Sequence, residues 1–417
     1  MCPSENKADL IPTMRAKRLI HILLIALLLS NVLPLDTYAK PPSKGSVFFC
    51  TLGRKTDDFL LRGLDTSYIA LPEHSWRVAL TNGEMGINST YRTWIEIGMP
   101  IDLVMSNRPS IELGFNVGYR GFGFGYSWDL MNAYTKNWNL SFGSKSLGIE
   151  FIHHVTSNLD CHFVFNNVQY KDIAVFEHNE LQITNTSLNA WYALNSPHYS
   201  HNAAIKQSYI QKRTAGSLLL SLGYMSTRVN VVDSLSQPYT KYYIAILNDG
   251  VKDMITRQVA VGIGYGINYT PNHGKVLLHA SANMQLVCYS VNHVSLLMPD
   301  SLEFTAVPYF VLQPINPVHV TGNMRAAISW EINKWVHLSA WAQANNIQFS
   351  TVDREVTAFN VNSWHWQAHI NIGVRLGVGN KRIQEILGEP LPDKTPEPEK
   401  KSKLPEWLTG YFFSPSI

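Results

Sequence analysis

Charge is scarce in this chain. Asp, Glu, Lys and Arg make up 16% of its 417 residues, against about a quarter in an ordinary soluble protein. The formal net charge is only +3 and no face rich in Lys and Arg stands out, which argues against a nucleic-acid partner. Cysteine is scarce as well, with 4 in all. Cys2 precedes the basic residues of the N-terminus, and no Leu-x-x-Cys lipobox follows, so a lipid anchor is not expected. Cys50, Cys161 and Cys288 are scattered and make neither a metal cluster nor a disulfide framework. One pair is open to bridging in an oxidising compartment; buried thiols on strands are the plainer reading. Beyond the N-terminus no apolar run is long enough for a helical membrane span.

What is present begins with an export signal. Arg15, Lys17 and Arg18 precede an apolar stretch from Ile20 to Leu29, and Thr37-Tyr38-Ala39 offers a small-residue cleavage site before Lys40. This is the layout of a Sec signal peptide over residues 1–39, with Met14 an alternative start and an uncleaved anchor the competing reading. The mature length suits two soluble domains or one large barrel.

Alternation decides between them. In Trp364 to Val378 one parity reads Trp364, Trp366, Ala368, Ile370, Ile372, Val374, Leu376, Val378; the other reads His365, Gln367, His369, Asn371, Gly373, Arg375, Gly377. Val259 to Tyr269 and Ile111 to Arg120 behave alike. Soluble strands usually stop at about 5–6 residues, whereas a tilted strand needs about 9–11 to cross a bilayer. In hydrocarbon a sheet must close so that every backbone group is paired, with apolar residues outward and polar or small ones inward. The expected fold is therefore all-β, an antiparallel transmembrane β-barrel of about 12 strands.

The strands expected are 75–89, 92–105, 111–128, 137–155, 158–168, 199–213, 215–230, 256–269, 275–290, 320–332, 335–349 and 362–378. At Arg120-Gly121 the apolar parity flips, which requires a tight turn or a bulge. Pro271-Asn272-His273-Gly274 and Asn333-Lys334 read as short turns; 169–198, 231–255 and 291–319 read as long connections. The domain plan is a signal peptide (1–39), an N-terminal extension (40–74), the barrel (75–379) and a Pro-, Glu- and Lys-rich periplasmic tail (380–417), expected to be disordered. Its final aromatics, Trp407, Tyr411, Phe412 and Phe413, either dock or stay free. The location expected is the bacterial outer membrane after Sec export, with outer-membrane lipid and, during insertion, the barrel-assembly machinery as partners.

Certain segments resemble a known family. Asp65-Thr66-Ser67-Tyr68-Ile69 resembles the opening motif of a Bacteroidetes-type outer-membrane family classified as a domain of unknown function (DUF4421). Tyr199-Ser200-His201-Asn202-Ala203-Ala204, followed by Gln211-Lys212-Arg213-Thr214-Ala215-Gly216-Ser217-Leu218, is similar to its central signature. Gly262 to Tyr269 and Arg325-Ala326-Ala327 look like its barrel strands. The resemblance spans roughly Asp65 to Asn380 and implies a barrel and its location, but no activity and no catalytic residue. The tail beyond the last strand departs from barrels that end on a terminal aromatic.

No constellation points firmly to chemistry. The 15 histidines include no complete metal-ligand set, and neither a metal nor a cofactor is expected. His153-His154 would face opposite sides of a strand. His279-Ala280-Ser281 and His337-Leu338-Ser339 have the spacing of a base and its nucleophile, but both pairs face inward and a triad is recognised by geometry rather than spacing. The lumen-lining candidates are Glu112, Arg120, Arg228, Arg325, Glu331, His365, His369 and Arg375, which either form a salt-bridged filling or line a conduit. The leading functional expectation is a non-enzymatic barrel that passes or binds small solutes, the small-molecule ligand being unspecified. An envelope-lipid hydrolase and a loop-mediated surface binder are the alternatives.

Overall fold

The computed structural model describes residues 60, 64–72, 74–94, 100–107, 111–130, 135–157, 159–165, 168–170, 180–231, 251–271, 275–300, 303–306, 310–314, 319–352 and 358–376. The expected signal peptide and C-terminal tail lie outside the described residues, as does Cys50. In chain order the elements are β1 (Ile69–Ala70), β2 (Trp76–Trp94), β3 (Pro100–Asn107), β4 (Glu112–Tyr119), β5 (Phe122–Asp129), β6 (Thr135–Gly143), β7 (Leu147–Thr156), β8 (Leu159–Phe165), β9 (Val168–Tyr170), β10 (Leu181–Ala193), α1 (His201–Ile205), β11 (Ile210–Gln211), β12 (Ala215–Val231), β13 (Val251–Tyr269), β14 (Val276–Asp300), β15 (Glu303–Ala306), β16 (Phe310–Pro314), β17 (His319–Glu331), β18 (Val336–Val352) and β19 (Ala358–Leu376).

Twelve of these strands form a closed antiparallel ring: β2, β4, β5, β6, β7, β10, β12, β13, β14, β17, β18, β19 and back to β2. Two pairings complete the circle: β19 meets β2 from Leu376↔Trp76 to Asn360↔Arg92, and β10 meets β7 from Tyr192↔Leu147 to Ile183↔Thr156. No wall edge is left open, which is what a sheet in hydrocarbon requires. The outer surface is apolar. Ile263 and Ile372 are 56% and 61% exposed, and Leu218, Leu220, Leu222, Tyr265, Ile267, Ile370 and Val374 continue the belt. Such a face is far larger than the apolar patch an ordinary soluble monomer presents. The fold class read from the sequence, a transmembrane-type antiparallel barrel, is what the structure shows. No described helix is long and apolar enough to cross a membrane.

The two ends differ. At one, hairpins close in a few residues: Tyr119 pairs with Phe122, Gly143 with Gly148 and Glu331 with His337. Trp76 packs on Tyr119 at 4.7 Å and Phe122 on Phe142 at 4.9 Å, forming part of an aromatic rim of the kind that marks a membrane interface. At the other end β2 and β14 run on past the wall and pair with β3 and β15–β16, while β3 pairs with β8.

The strand expectations need correction in several places. The parity flip at Arg120-Gly121 is a tight turn: Arg120 has φ 53°, and 111–128 is two wall strands. Ser144, whose Oγ accepts from Leu147 N at 3.0 Å, closes a second turn, and 137–155 is also two. The segments 92–105 and 158–168 contribute β3 and β8, which extend beyond the ring. The stretch 169–198, read as a connection, contains the wall strand β10. The reverse holds for 199–213: it is no wall strand but carries α1 and β11 inside the barrel. Within 291–319, Pro299 lies in β14 and Pro314 ends β16; both lie where the sheet extends past the ring, and there an edge position tolerates proline. Cys161 and Cys288 form no disulfide, and they are half-buried and exposed respectively rather than buried. Cys288 is the extra residue of a bulge, since Tyr289 pairs with Val259 and Val287 with Ala260.

Candidate functional site

The connector between β10 and β12 does not leave the barrel as a loop. It turns inward at the short-turn end and plugs the lumen. Tyr199, Ser200, His201, Asn202, Ala203, Ala204, Tyr209 and Gln211 are all almost fully buried. On one side Ala203, Ala204 and Tyr209 join Leu60, Ile69, Leu277 and Ala327 in an apolar cluster, with Trp341 packed against it. That side is wedged against β14, β17 and β18.

Glycines make room for the plug. A Cβ on Gly266 would lie 2.1 Å from the Tyr199 hydroxyl, and one on Gly143 2.6 Å from the Asn202 side chain. Polar ties complete the seat. Asn202 Nδ2 donates to Ser144 O at 2.8 Å. Asn268 Nδ2 donates to Ser200 O at 2.8 Å and to Gln211 Oε1 at 3.1 Å.

An N-terminal segment clamps the plug from the end. Asp65 Oδ1 accepts from Ser67 N at 2.8 Å and from Ser67 Oγ at 2.6 Å, an Asx turn. These bonds, the hydroxyl's first, hold the Asp65 carboxyl below its ordinary value. Asp65 N reaches Pro197 O at 3.1 Å, Lys212 N donates to Tyr68 O at 2.6 Å, and β1 pairs with β11. Two of the segments that carry the family resemblance, the opening motif and the central signature, therefore pack on one another.

At the centre sits an ion trio. Glu150 of β7 takes Lys206, at the end of α1, through Oε1, and Arg325 of β17 through Oε2 at 2.8 Å. All three side chains are nearly closed off from solvent. The Arg325 guanidinium also lies 5.3 Å from the Trp191 ring centroid, close enough for a cation–π contact. Burying charge costs several kcal/mol per ion unless the partners are well placed. Here one carboxylate answers two cations, one from the wall and one from the plug.

Facing the plug's other side is a polar cavity of about 50 Å³. Arg77, Asn116, Asn137, Asn139, Glu150, Lys206, Gln207, Gln367, His369 and Asn371 are among its lining residues. Such a volume has room for about three to five waters, at about 10–15 Å³ each. Nearer the short-turn end, a second cavity of about 30 Å³ is lined by Arg77, Arg120, Arg375, His74, Ser75, Gln207 and Ser208 among others.

The expected lumen residues are placed as follows. Glu112 is buried and accepts from Ser127 Oγ at 2.9 Å. Arg325 is in the trio. Arg375 and Glu331 form a bidentate pair, with Arg375 Nη2 to Glu331 Oε1 at 2.6 Å. His365 and His369 face inward, the latter against Trp341 at 4.7 Å. Arg120 sits in the β4–β5 turn at the mouth. Arg228 requires correction. It shares its parity with Leu218, Leu220 and Leu222, faces outward, and pairs with Asp253, its Nη2 2.6 Å from Oδ2. The residues missed were Arg77, Glu150 and Lys206. Glu150 has a readable signal, as the one carboxylate on the inward parity of β7.

The two His-x-Ser pairs separate. His279 Nδ1 lies 2.8 Å from Asn268 Oδ1, and Nε2 lies 3.2 Å from Ser281 Oγ, the order of a nucleophile, base and orienting amide. However, the His201 ring of the plug stands 4.9 Å from the His279 ring, and Asn268 is committed to holding Ser200 and Gln211. The chain of bonds anchors the plug. His337 is fully buried, and Ser339 accepts from Asn371 Nδ2 at 3.2 Å. Among the described residues no group of three His, Cys, Asp or Glu side chains could hold a metal ion.

Among solved structures the chain resembles the outer membrane protease OmpT from Escherichia coli, with 7% identity, 74% of this chain and 98% of that chain covered, and a TM-score of 0.36. It also resembles an outer membrane channel from Pseudomonas putida F1 (9% identity, 74% and 98% covered, TM-score 0.26). A third is the translocator domain of the autotransporter NalP from Neisseria meningitidis (8% identity, 80% and 98% covered, TM-score 0.22). None of their activities is carried to this chain. No curated protein matches it. The profile described as "Domain of unknown function (DUF4421)" matches residues 63–376, from just before the Asp65 clamp to the last residue of β19, and the chain belongs to that family.

Proposed function

We propose that this protein is an outer-membrane barrel with a closed resting lumen that binds small hydrophilic solutes and passes them when the plug shifts. The observation that carries the reading is the lopsided plug. Its apolar side is wedged on β14, β17 and β18, while its polar side, at Lys206 and Gln207, faces a cavity lined by amides and charges from β2, β4–β7 and β19. A filling that served only stability would gain more from an apolar core on both sides, because burial stabilises by about 25 cal/mol per Å² of apolar surface. The apolar belt and the aromatic rim support the membrane setting. Short turns at the plugged end support placing that end in the periplasm.

The test is conductance in planar bilayers, alongside liposome uptake of small sugars and amino acids. The wild-type barrel should conduct little. The double variant Glu150→Ala with Lys206→Ala, which leaves net charge unchanged, should conduct more and admit solutes faster. If the inserted variant is as silent as the wild type, the lumen is a filling and the reading fails. A protein that stays soluble without detergent would overturn the membrane setting itself.

A further inference from the structure

We infer that the short-turn mouth of the lumen contains a binding site for a small inorganic anion, phosphate or sulfate in kind, centred on Arg77. Arg77 projects inward from β2 and makes one hydrogen bond, Nη2 to Asn116 Oδ1 at 3.2 Å. Among the described residues no carboxylate pairs with it. The nearest candidates are taken: Glu331 is held by both terminal nitrogens of Arg375, and Glu150 by Lys206 and Arg325. Across the β2–β19 seam Arg77 stands in register with Arg375. Two guanidinium groups are thus brought together with a single carboxylate between them. A half-buried cation that must share its one nearby carboxylate with a second guanidinium is held at a cost, and an anion on this spot lowers that cost.

Space and donors are in place. The cavity of about 30 Å³ beside Arg77 also touches Arg375, Arg120 and Ser208. That is room for roughly two waters, which a phosphate-sized ion would displace. Ser208 is 7% exposed, and its hydroxyl has no hydrogen-bond partner; the same is true of Nε of Arg375, which is 2% exposed. The Arg77 fork itself rests in a cradle of glycine: a Cβ on Gly118 would meet its Nη2 at 2.9 Å. A planar guanidinium with spare donors, a second one beside it and a serine hydroxyl make up the donor set that recognises a tetrahedral oxyanion. Arg77 also lines the larger lumen cavity, so an ion here would stand between the plug's polar side and the mouth. The site rests on its own geometry and does not depend on whether the lumen conducts.

The experiment is a thermal titration of the full chain refolded in detergent, followed by circular dichroism and by heat-modifiable electrophoretic mobility. Sodium phosphate, sulfate and chloride are compared with gluconate at equal ionic strength. For the wild type, phosphate or sulfate should raise the unfolding midpoint with concentration, by on the order of 5 °C at a hundredfold excess over Kd, and chloride less. Arg77→Gln should abolish the response, and in gluconate its midpoint should equal or exceed that of the wild type, since an uncompensated charge has been removed. Arg77→Lys should retain part of the response, and Arg228→Gln on the outer face all of it. No anion-dependent shift in the wild type would overturn the site. So would an unaltered shift in Arg77→Gln, or a gluconate midpoint of that variant well below wild type. None of these readouts is a conductance, so failure here is distinct from failure of the passage reading.

Discussion

Asn185 and His365 are hydrogen-bonded across the barrel. Asn185 Nδ2 lies 2.9 Å from His365 Nδ1, although β10 and β19 are six steps apart in either direction around the ring of twelve. Thr227 donates to Asn185 Oδ1 at 3.4 Å, while His365 Nε2 meets Ser363 Oγ at 2.8 Å and Ser363 meets Ser89 at 2.5 Å. These bonds fit an imidazole carrying its proton on Nε2. At this level opposite walls touch, so the lumen is narrowed above the plug that closes it.

The tie should be costly to cut. In His365→Ala, Asn185 and Ser363 each lose a partner, and a buried polar group left unsatisfied costs about 1–3 kcal/mol. The expected outcome is a lower midpoint for heat-modifiable mobility, with bilayer conductance raised only when the plug is also loosened. Conductance rising in His365→Ala alone would show that this tie, and not the plug, is the barrier.

The ion trio permits a sharper contrast. Glu150→Gln leaves Lys206 and Arg325 without their carboxylate, and breaking a buried ion pair from one side costs about 3–5 kcal/mol. Glu150→Met combined with Lys206→Met removes one charge of each sign and leaves Arg325 its contact with the Trp191 ring. The double variant should unfold at a higher temperature than Glu150→Gln. The reverse order would mean that the trio contributes net stability rather than fixing where the plug sits.

How much of this was legible in the sequence depends on contrast between the two faces of each strand. In β19 and β13 apolar and polar residues alternate without exception over the belt, and both were read correctly. β10 was missed because its outward residues include Gln182, Thr184 and Thr186; only Leu188 and Tyr192 stand out as large and apolar. The β4–β5 and β6–β7 hairpins were fused because their turns take two or three residues. Residues 199–213 were read as a strand because the plug is buried on all sides and shows no clear period. The expected count of twelve matched only because two splits and one missed strand offset three segments that do not belong to the wall. Arg228 was assigned inward on the assumption that charge avoids the outer face, which fails once the strand has risen past the apolar belt. For the site, inward charges such as Arg325 and Arg375 could be listed from parity. Their pairing with Lys206 could not, because the connector's path through the lumen leaves no periodic trace.

Two glycines in the wall test whether the plug is held by fit. Both lie in long strands, so glycine's backbone freedom is not the issue at either. Gly266→Ala places a methyl within 2.1 Å of the Tyr199 hydroxyl, and Tyr199 is fully buried with its hydroxyl on His201 Nδ1 at 2.9 Å. Overpacking of this kind costs about 1–3 kcal/mol and should displace the connector, seen as faster amide exchange over 199–211. Gly322→Ala meets nothing within 4 Å and should be neutral or stabilising by about 0.4–1 kcal/mol. Equal effects from the two would remove the case for a tightly seated plug.

The clamp at Asp65 should respond to acid. Its carboxylate is held in the charged form by the Ser67 hydroxyl and then by the Ser67 N–H, and its Oδ2 lies 3.4 Å from His198 Nε2. Because the folded-state value is depressed, the contribution is present in full above the ordinary carboxylate range. It is lost as pH falls through the lower, folded value. Protonation removes the acceptor charge from the Asx turn and with it the reason for residues 64–72 to keep their shape against Pro197 and Lys212. Since the side chain is partly open to water, the effect belongs to local docking and not to global unfolding. Amide exchange at Ser67, Tyr68 and Ile69, corrected for its intrinsic pH dependence, should therefore lose protection below the ordinary carboxylate range while the wall strands stay protected. In Asp65→Asn the same amides should be weakly protected at every pH, and the acid step should vanish. A step that survives in Asp65→Asn would assign the titration to another group and leave Asp65 as a turn former only.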